Sequence, residues 1–312
     1  MDLNHVFGPV PSRRLGVSLG IDLLSNKICT FDCVYCECGV TTELTSERKE
    51  YISTKEVIKE LDHFLQTEPE LDYITFSGSG EPTLHNKIGK IVSFLKNNYP
   101  DYKLALLTNG SFFAEQGLLD EISEIDLIVP SLDAVSEDTF EEINRPCTAL
   151  SIDDIINGLI NLSKNYEGEI WLEIFILSGV NDTKKEIEAF KEVIERVNPQ
   201  RVQLNTLDRP GAEDWIESVV EERLKQIAAD LGDKVEIIAS FKPRKEIKSF
   251  NQELKNEIID LLKKRPCTNQ DLAEILSIHA NEVSKYIQTL LDDEIIEKQD
   301  GKRGIFYIVK EK

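Results

Sequence analysis

Four of the six cysteines crowd into ten positions of "CTFDCVYCEC", as Cys29, Cys33, Cys36 and Cys38. Thiols this close can pair as disulfides or hold metal, and the compartment decides which. The opening "MDLNHVFGPVPSRR" has no positive start followed by an apolar stretch, so no export signal is expected. The longest apolar run, "IWLEIFIL", is short and broken by Glu173, so no membrane span is expected either. A reducing cytoplasm then favours metal over disulfide. Structural zinc takes four ligands, usually as two distant pairs. Here C-x3-C-x2-C supplies three at once, no His is near in sequence, and Cys147 and Cys267 are remote. The spacing suits an iron–sulfur cluster better than zinc. Three thiolates can wrap a cubane and leave its fourth iron open to a substrate or cofactor. Cys38 as a fourth ligand would close that position through a strained C-x-C. It reads as a bystander, with a backup ligand or a redox partner as the alternatives.

A loop of this kind needs a scaffold. From about Val17 to Ser240, strand-like runs alternate with amphipathic stretches: "VSLGIDLL" (17–24), "YITFSG" (73–78), "KLALLTN" (103–109), "DLIVPSLD" (126–133), "EIWLEIFILSG" (169–179) and "RVQLNTL" (201–207). Ser53 with Glu56 and Thr183 with Glu186 fit capping boxes at the starts of two of the helices between them. Alternation of this kind predicts parallel strands joined by helical crossovers: an α/β fold, a partial (β/α)6 TIM-like barrel. Its ligands belong at the C-terminal ends of the strands, where "SGSGEPTLH", "TNGS", "SLDA", "SGVNDT" and "LNTLDRPG" join the cysteine loop. Turn chemistry alone explains any one of these loops. It explains six together less well.

C-x3-C-x2-C after a first strand, with Tyr35 just before the third Cys, resembles the radical S-adenosylmethionine (radical SAM) superfamily. The resemblance implies one 4Fe-4S cluster on Cys29, Cys33 and Cys36, its fourth iron chelated by the amino and carboxylate groups of S-adenosyl-L-methionine. It implies an electron donor such as flavodoxin or ferredoxin, cleavage of the cofactor's S–C5′ bond, and hydrogen abstraction by a 5′-deoxyadenosyl radical. The family's Gly-Gly-Glu-like loop is matched by "GSGEP", with Ser79 inserted between Gly78 and Gly80 ahead of Glu81. The resemblance further assigns Thr108 and Asn109 to the cofactor rim and Ser131 and Asp133 to the ribose. Backbone near Tyr35, with Val180 and Leu204, is assigned to the adenine. It covers Val17 to about Leu207. "GPVPSRRLGVSLGIDL" (8–23) and "EEINRP" (141–146) narrow it to a subgroup similar to wyosine-type tRNA synthetase-related proteins. The true wyosine enzymes need a second cluster, and Cys38, Cys147 and Cys267 are too scattered to hold one, so that activity is not assigned.

Arg13, Arg14, Arg145 and Arg209 flank strand ends, where guanidinium groups bind carboxylates or phosphates. Ordinary ion pairing is their alternative in a chain of net charge -21. Cys147 is a candidate hydrogen donor or covalent partner, or simply a small buried hydrophobe. His5 is ambiguous, His85 is placed to touch the Glu81 loop, and His63 reads as structural.

After Pro243 the pattern changes. The expected division is a barrel over 1–243, a linker over 244–250 and a small domain over 251–312. Three helices (251–264, 268–278, 281–294) and a hairpin turning at Asp300-Gly301 resemble a winged helix-turn-helix. Residues 250–312 carry ten Lys or Arg against twelve Asp or Glu, and Lys285 is the one cation of the would-be recognition helix. That argues against DNA and for docking of substrate or a protein. The reading is a cytoplasmic radical SAM enzyme of unidentified substrate (small molecule, peptide or RNA). The alternatives are a tRNA/RNA-modifying radical enzyme, a glycyl-radical activase, and an iron–sulfur, SAM-binding transcriptional regulator.

Overall fold

The alternating runs build one open sheet, seen in a computed structural model that describes residues 3–12, 14–24, 26–115, 117–148, 150–207, 211–239, 252–276, 278–301 and 304–310. Arg13, Arg209 and the expected linker 244–250 lie outside the described residues. The chain runs β1 (Val6–Ser12), β2 (Gly16–Ile21), β3 (Ile28–Cys29), β4 (Glu43–Leu44), α1 (Thr54–Leu65), β5 (Tyr73–Phe76), α2 (Ile88–Asn98) and β6 (Leu104–Thr108). It continues through α3 (Leu118–Ile122), β7 (Leu127–Pro130), α4 (Glu137–Ile143), α5 (Ile152–Asn165), β8 (Glu169–Phe175), α6 (Lys184–Val197), β9 (Arg201–Asn205), α7 (Glu221–Leu231) and β10 (Val235–Ile237).

The sheet has eight strands in the order β1-β2-β5-β6-β7-β8-β9-β10. Every neighbour pair from β2 onward is parallel, and β1 pairs antiparallel with β2. A parallel sheet laid down in chain order, each strand followed by its helix, is an incomplete (β/α) barrel. All six expected strands are present. The two edge strands carry little signal: β1 contains Pro9 and Pro11, tolerable only at an edge or a bulge, and its register does shift between Phe7 and Val10. β10 has only three residues.

Side chains alternate across each strand, and the two faces differ. Leu19, Ile21, Ile74, Phe76, Leu104, Leu106, Ile128, Leu172, Ile174, Val202 and Leu204 turn outward into one large core shared with the helices. On the inner face, Leu15, Ala105, Leu127, Val129 and Trp171 plug one end. Beyond them the lining turns polar, with Ser18 bonded to Thr75 at 2.6 Å and Asn205 donating to Glu173 at 3.1 Å. Of the two expected capping boxes, Thr183 accepts from the Glu186 amide. Ser53 caps nothing with its side chain, and the Thr54 amide goes to Glu50 instead.

The C-terminal elements are α8 (Gln252–Lys264), α9 (Asn269–Leu276), α10 (Ala280–Asp292), β11 (Ile296–Gly301) and β12 (Gly304–Val309), packed on a core of their own. The hairpin turns later than expected. Asp300 and Gly301 are paired with Ile305 and Gly304, so both are strand rather than turn.

Candidate functional site

The cysteine loop begins at β3, which pairs with β4 so that the loop closes on itself. The Thr45 amide reaches the Cys29 carbonyl at 3.0 Å, and the Thr41 amide reaches Asp32 Oδ1 at 2.6 Å. A turn in which the Cys36 amide bonds the Cys33 carbonyl at 3.1 Å folds the thiols toward one another. Three segments remote in sequence clamp the loop. Residues 143–147 run beside it, with Val34 N to Ile143 O at 2.9 Å and Cys147 N to Thr30 O at 2.8 Å. Glu213 N reaches Val34 O at 3.0 Å. On the third side Glu81 N reaches Ile28 O at 3.2 Å, and Gly80 passes so close that a Cβ there would stand 1.8 Å from that carbonyl. Only glycine fits such an approach.

Polar groups surround the thiols. Asn109 Nδ2 lies 3.6 Å from Cys29 Sγ and Asn144 Nδ2 lies 3.4 Å from Cys33 Sγ. The Lys27 ammonium bonds Cys36 and the Gly39 carbonyl. Burial opposes the charge of Lys27, but Cys36, Cys33 and Cys38 outweigh it and raise its pKa. A hydrogen bond from Cys38 brings Cys36 down to about 6, assisted by Lys27. Giving that bond pushes Cys38 up. Burial lifts Cys29 to about 12 and raises Cys33. Among the described residues no three His, Cys, Asp or Glu side chains close on one point as a single metal ion requires. A cubane asks instead for three thiols standing apart around it, sensing one another's charge, with amide donors behind the sulfurs. Cys29 and Cys33 have such amide donors in Asn109 and Asn144, and Cys36 has the Lys27 ammonium instead.

Two acids assigned to the cofactor turn inward. Glu81 is 2% exposed, accepting from Thr83 N and Oγ1 (3.0 and 2.6 Å), Thr108 Oγ1 (2.7 Å) and Asn109 N (2.7 Å), and burial raises its pKa. It ties the "TNG" turn to the "SGSGE" loop and so aims Asn109 at Cys29. Asp133 accepts from the Tyr35 hydroxyl, Asn144 Nδ2 (3.0 Å) and the Phe175 amide (2.9 Å), and burial lifts it to about 6. Its carboxylate therefore braces Tyr35 rather than offering free oxygens to a ribose. Ser131, just past β7, is half-buried. Tyr35 stacks on Phe175 with centroids 4.0 Å apart, and Val180 joins the same apolar shelf. Leu204 does not, because its side chain lies in the outer core at 0% exposure.

Other candidates are similarly resolved. Arg14 pairs with Glu173 at 2.5 Å and Arg145 with Glu213 at 2.5 Å, so each guanidinium group has a carboxylate partner within the protein. Cys147 is buried beneath the cysteine loop, and Cys267 lies in the C-terminal core. His85 bonds the Ile52 carbonyl at 2.9 Å instead of Glu81, and burial lowers its pKa. Lys27, Asn144 and Asp22 went unnoticed in the sequence. Lys27 stands two residues before Cys29, which was its signal, and Asn144 lies within "EEINRP". Nothing local marks Asp22.

Over residues 24–194 the chain matches the Radical SAM superfamily. The chain belongs to that superfamily. It is 31% identical to UPF0026 protein MJ1312 of Methanocaldococcus jannaschii, over 97% of this chain and 95% of that one. It is 34% identical to a Brachyspira hyodysenteriae protein named GTPase Obg, over 92% of this chain but only 42% of the relative, so it spans less than half of that protein. Among solved structures, TYW1 with a lysine-pyruvate adduct superposes with a TM-score of 0.51 at 18% identity, covering 72% of this chain and 75% of that one, a likeness of fold. The radical SAM protein described here is an enzyme that works with a 4Fe-4S cluster and S-adenosylmethionine. Among the described residues no helix is long and apolar enough to cross a membrane.

Proposed function

We propose that Cys29, Cys33 and Cys36 hold the cluster and that S-adenosylmethionine lies across the rim between the "SGSGE" loop, Ser131 and the Tyr35–Val180 shelf. The carrying observation is that these three thiols sit on one clamped loop, each with its own donor: Asn109, Asn144 and Lys27. Cys38, which faces the cavity and gives its hydrogen bond to Cys36, is left out of the ligand set. Cluster and cofactor together supply one-electron cleavage of S-adenosylmethionine and removal of hydrogen from a substrate. The chain's own part is to position and to exclude water. Gly78 and Gly80 let the cofactor loop pack tightly on Asp22 and Ile28, the Tyr35–Phe175 stack offers a flat apolar face, and the donors at the sulfurs stabilise their charge.

The substrate enters, in this reading, through a cavity of about 670 Å³ between the cysteine loop and the C-terminal unit. Lys27, Cys38 and Ser79 line one side, and Asn269, Ser284 and Tyr307 the other. Its size suits a small molecule or a short segment of a larger one. The C-terminal unit thus docks substrate. A DNA-reading role fits poorly, since the start of α10, the would-be recognition helix, is packed against β1, with Gly8 N donating to Glu282 at 3.2 Å.

Anaerobic reconstitution tests the assignment. The wild type should take up about four irons per chain and release 5′-deoxyadenosine under reduction. Cys29→Ala, Cys33→Ala and Cys36→Ala should each abolish both, and Cys38→Ala should keep both. Loss of cluster in Cys38→Ala alone would refute the ligand set.

A further inference from the structure

The "SGSGE" loop is held from below by one carboxylate. Asp22, 3% exposed at the end of β2, accepts through Oδ2 from Ser79 N (2.9 Å) and Ser79 Oγ (2.7 Å). Its Oδ1 accepts from Leu24 N at 3.1 Å, and it packs so closely under Gly78 that a Cβ there would stand 2.3 Å from the carboxyl carbon. The remaining partner of Oδ2 comes from the other end of the chain. His279 Nε2, in the residue before α10, lies 2.8 Å away, its ring stacked on Phe7 at 4.5 Å and 13°. Three hydrogen-bonding partners thus meet on one buried oxygen. Two of them are the loop itself and the third is the C-terminal unit. A charge-assisted bond to a buried carboxylate fixes its rotamer, so whatever moves His279 moves the seat of Ser79.

We propose that His279 is a positioning residue of the cofactor site: the C-terminal unit completes the seat of S-adenosylmethionine through Asp22 and Ser79. The inference rests on the reading of Gly78–Gly80 as the cofactor loop. It makes the C-terminal unit a structural part of the reaction centre, so that a ligand gripping α9 and α10 is sensed where the cofactor binds. His279 belongs to the same unit that lines the 670 Å³ cavity through Asn269, Ala280 and Ser284.

The full-length protein gives two independent readouts. Without cluster or cofactor, His279→Ala should speed hydrogen exchange of the Ser79 amide by about tenfold, the equivalent of one lost hydrogen bond to a charged group. His279→Gln, whose amide nitrogen can stand where Nε2 stood, should restore protection. Glu282→Ala removes the α10 contact to Gly8 without touching Asp22 and should change Ser79 exchange less than twofold. In reconstituted enzyme, His279→Ala should raise KM for S-adenosylmethionine about tenfold, well beyond its effect on kcat, and His279→Gln should return it. Unchanged Ser79 exchange and KM in His279→Ala would overturn the proposal. So would an equal exchange response in Glu282→Ala, which would reduce His279 to a docking contact. A reconstituted wild type that binds no S-adenosylmethionine would refute the functional reading instead, and the exchange measurement would still decide the coupling.

Discussion

The cysteine loop and the C-terminal unit both lean on the barrel, yet they are held in opposite ways. The loop has scarcely any core of its own. Its shape comes from backbone hydrogen bonds to residues 81, 143–147 and 213, three segments remote from it in sequence. The C-terminal unit has a complete small core around Ile258, Leu272, Val283 and Leu290 and meets the barrel through Phe7, Gly8 and Asp22. The difference teaches where each can fail. The loop depends on the whole sheet, because backbone groups in it find partners only when the barrel is folded. The unit depends on itself and can loosen without unfolding.

The sharpest way to break this contrast is at the thiols. Cys33→Ala should remove essentially all cluster iron while the melting of both units in the iron-free protein changes little, since the substitution removes a single atom from a half-buried residue. Scanning calorimetry beside iron analysis would separate the two effects. Next in size is Gly80→Ala, which drives a methyl group into the Ile28 carbonyl at 1.8 Å and should cost about 3 kcal/mol in the barrel transition. Leu272→Ala is the mirror experiment. It opens a cavity at a fully buried site of the C-terminal core and should destabilise that unit by about 2–5 kcal/mol, with iron uptake preserved. A single shared melting transition in that variant would show the two units to be one.

The most gradual effect is in pH, spread over a window rather than set by one substitution. Burial holds Asp133 at about 6 in the folded protein against 3.8 for a free side chain. Between those values the folded state keeps a proton that the unfolded chain has lost, so stability falls as pH rises from 3.8 to 6 and is level above it. The full span is about 3 kcal/mol, discounted by whatever water reaches the site. Asp133→Asn should flatten the slope in that window, as denaturant titrations across it would measure.

Much of this was open to inspection along the chain. The six inner strands were legible because each is a long apolar run, and the thiol spacing was legible because it is local. Pro9 and Pro11 hid β1, whose pairing only the neighbouring strand can supply. Glu81 and Asp133 were recognised as important acids but turned the wrong way. A sequence shows that a carboxylate stands beside a glycine loop, and not that Thr83, Thr108, Tyr35 or Asn144 will occupy its oxygens. Leu204 was misplaced for the same reason, since a one-residue step along a strand exchanges the inner face for the outer.

The order of residues alone determined that this chain makes an alternating α/β scaffold and carries four cysteines within ten positions of one loop. Hydrophobic period and cysteine spacing are short-range properties that survive without a fold. Only the tertiary structure decided which donors stand behind each sulfur, which acids are spent inside the protein, and that His279 reaches Asp22 across the chain. Those are contacts between residues far apart in sequence, fixed by packing rather than by pattern.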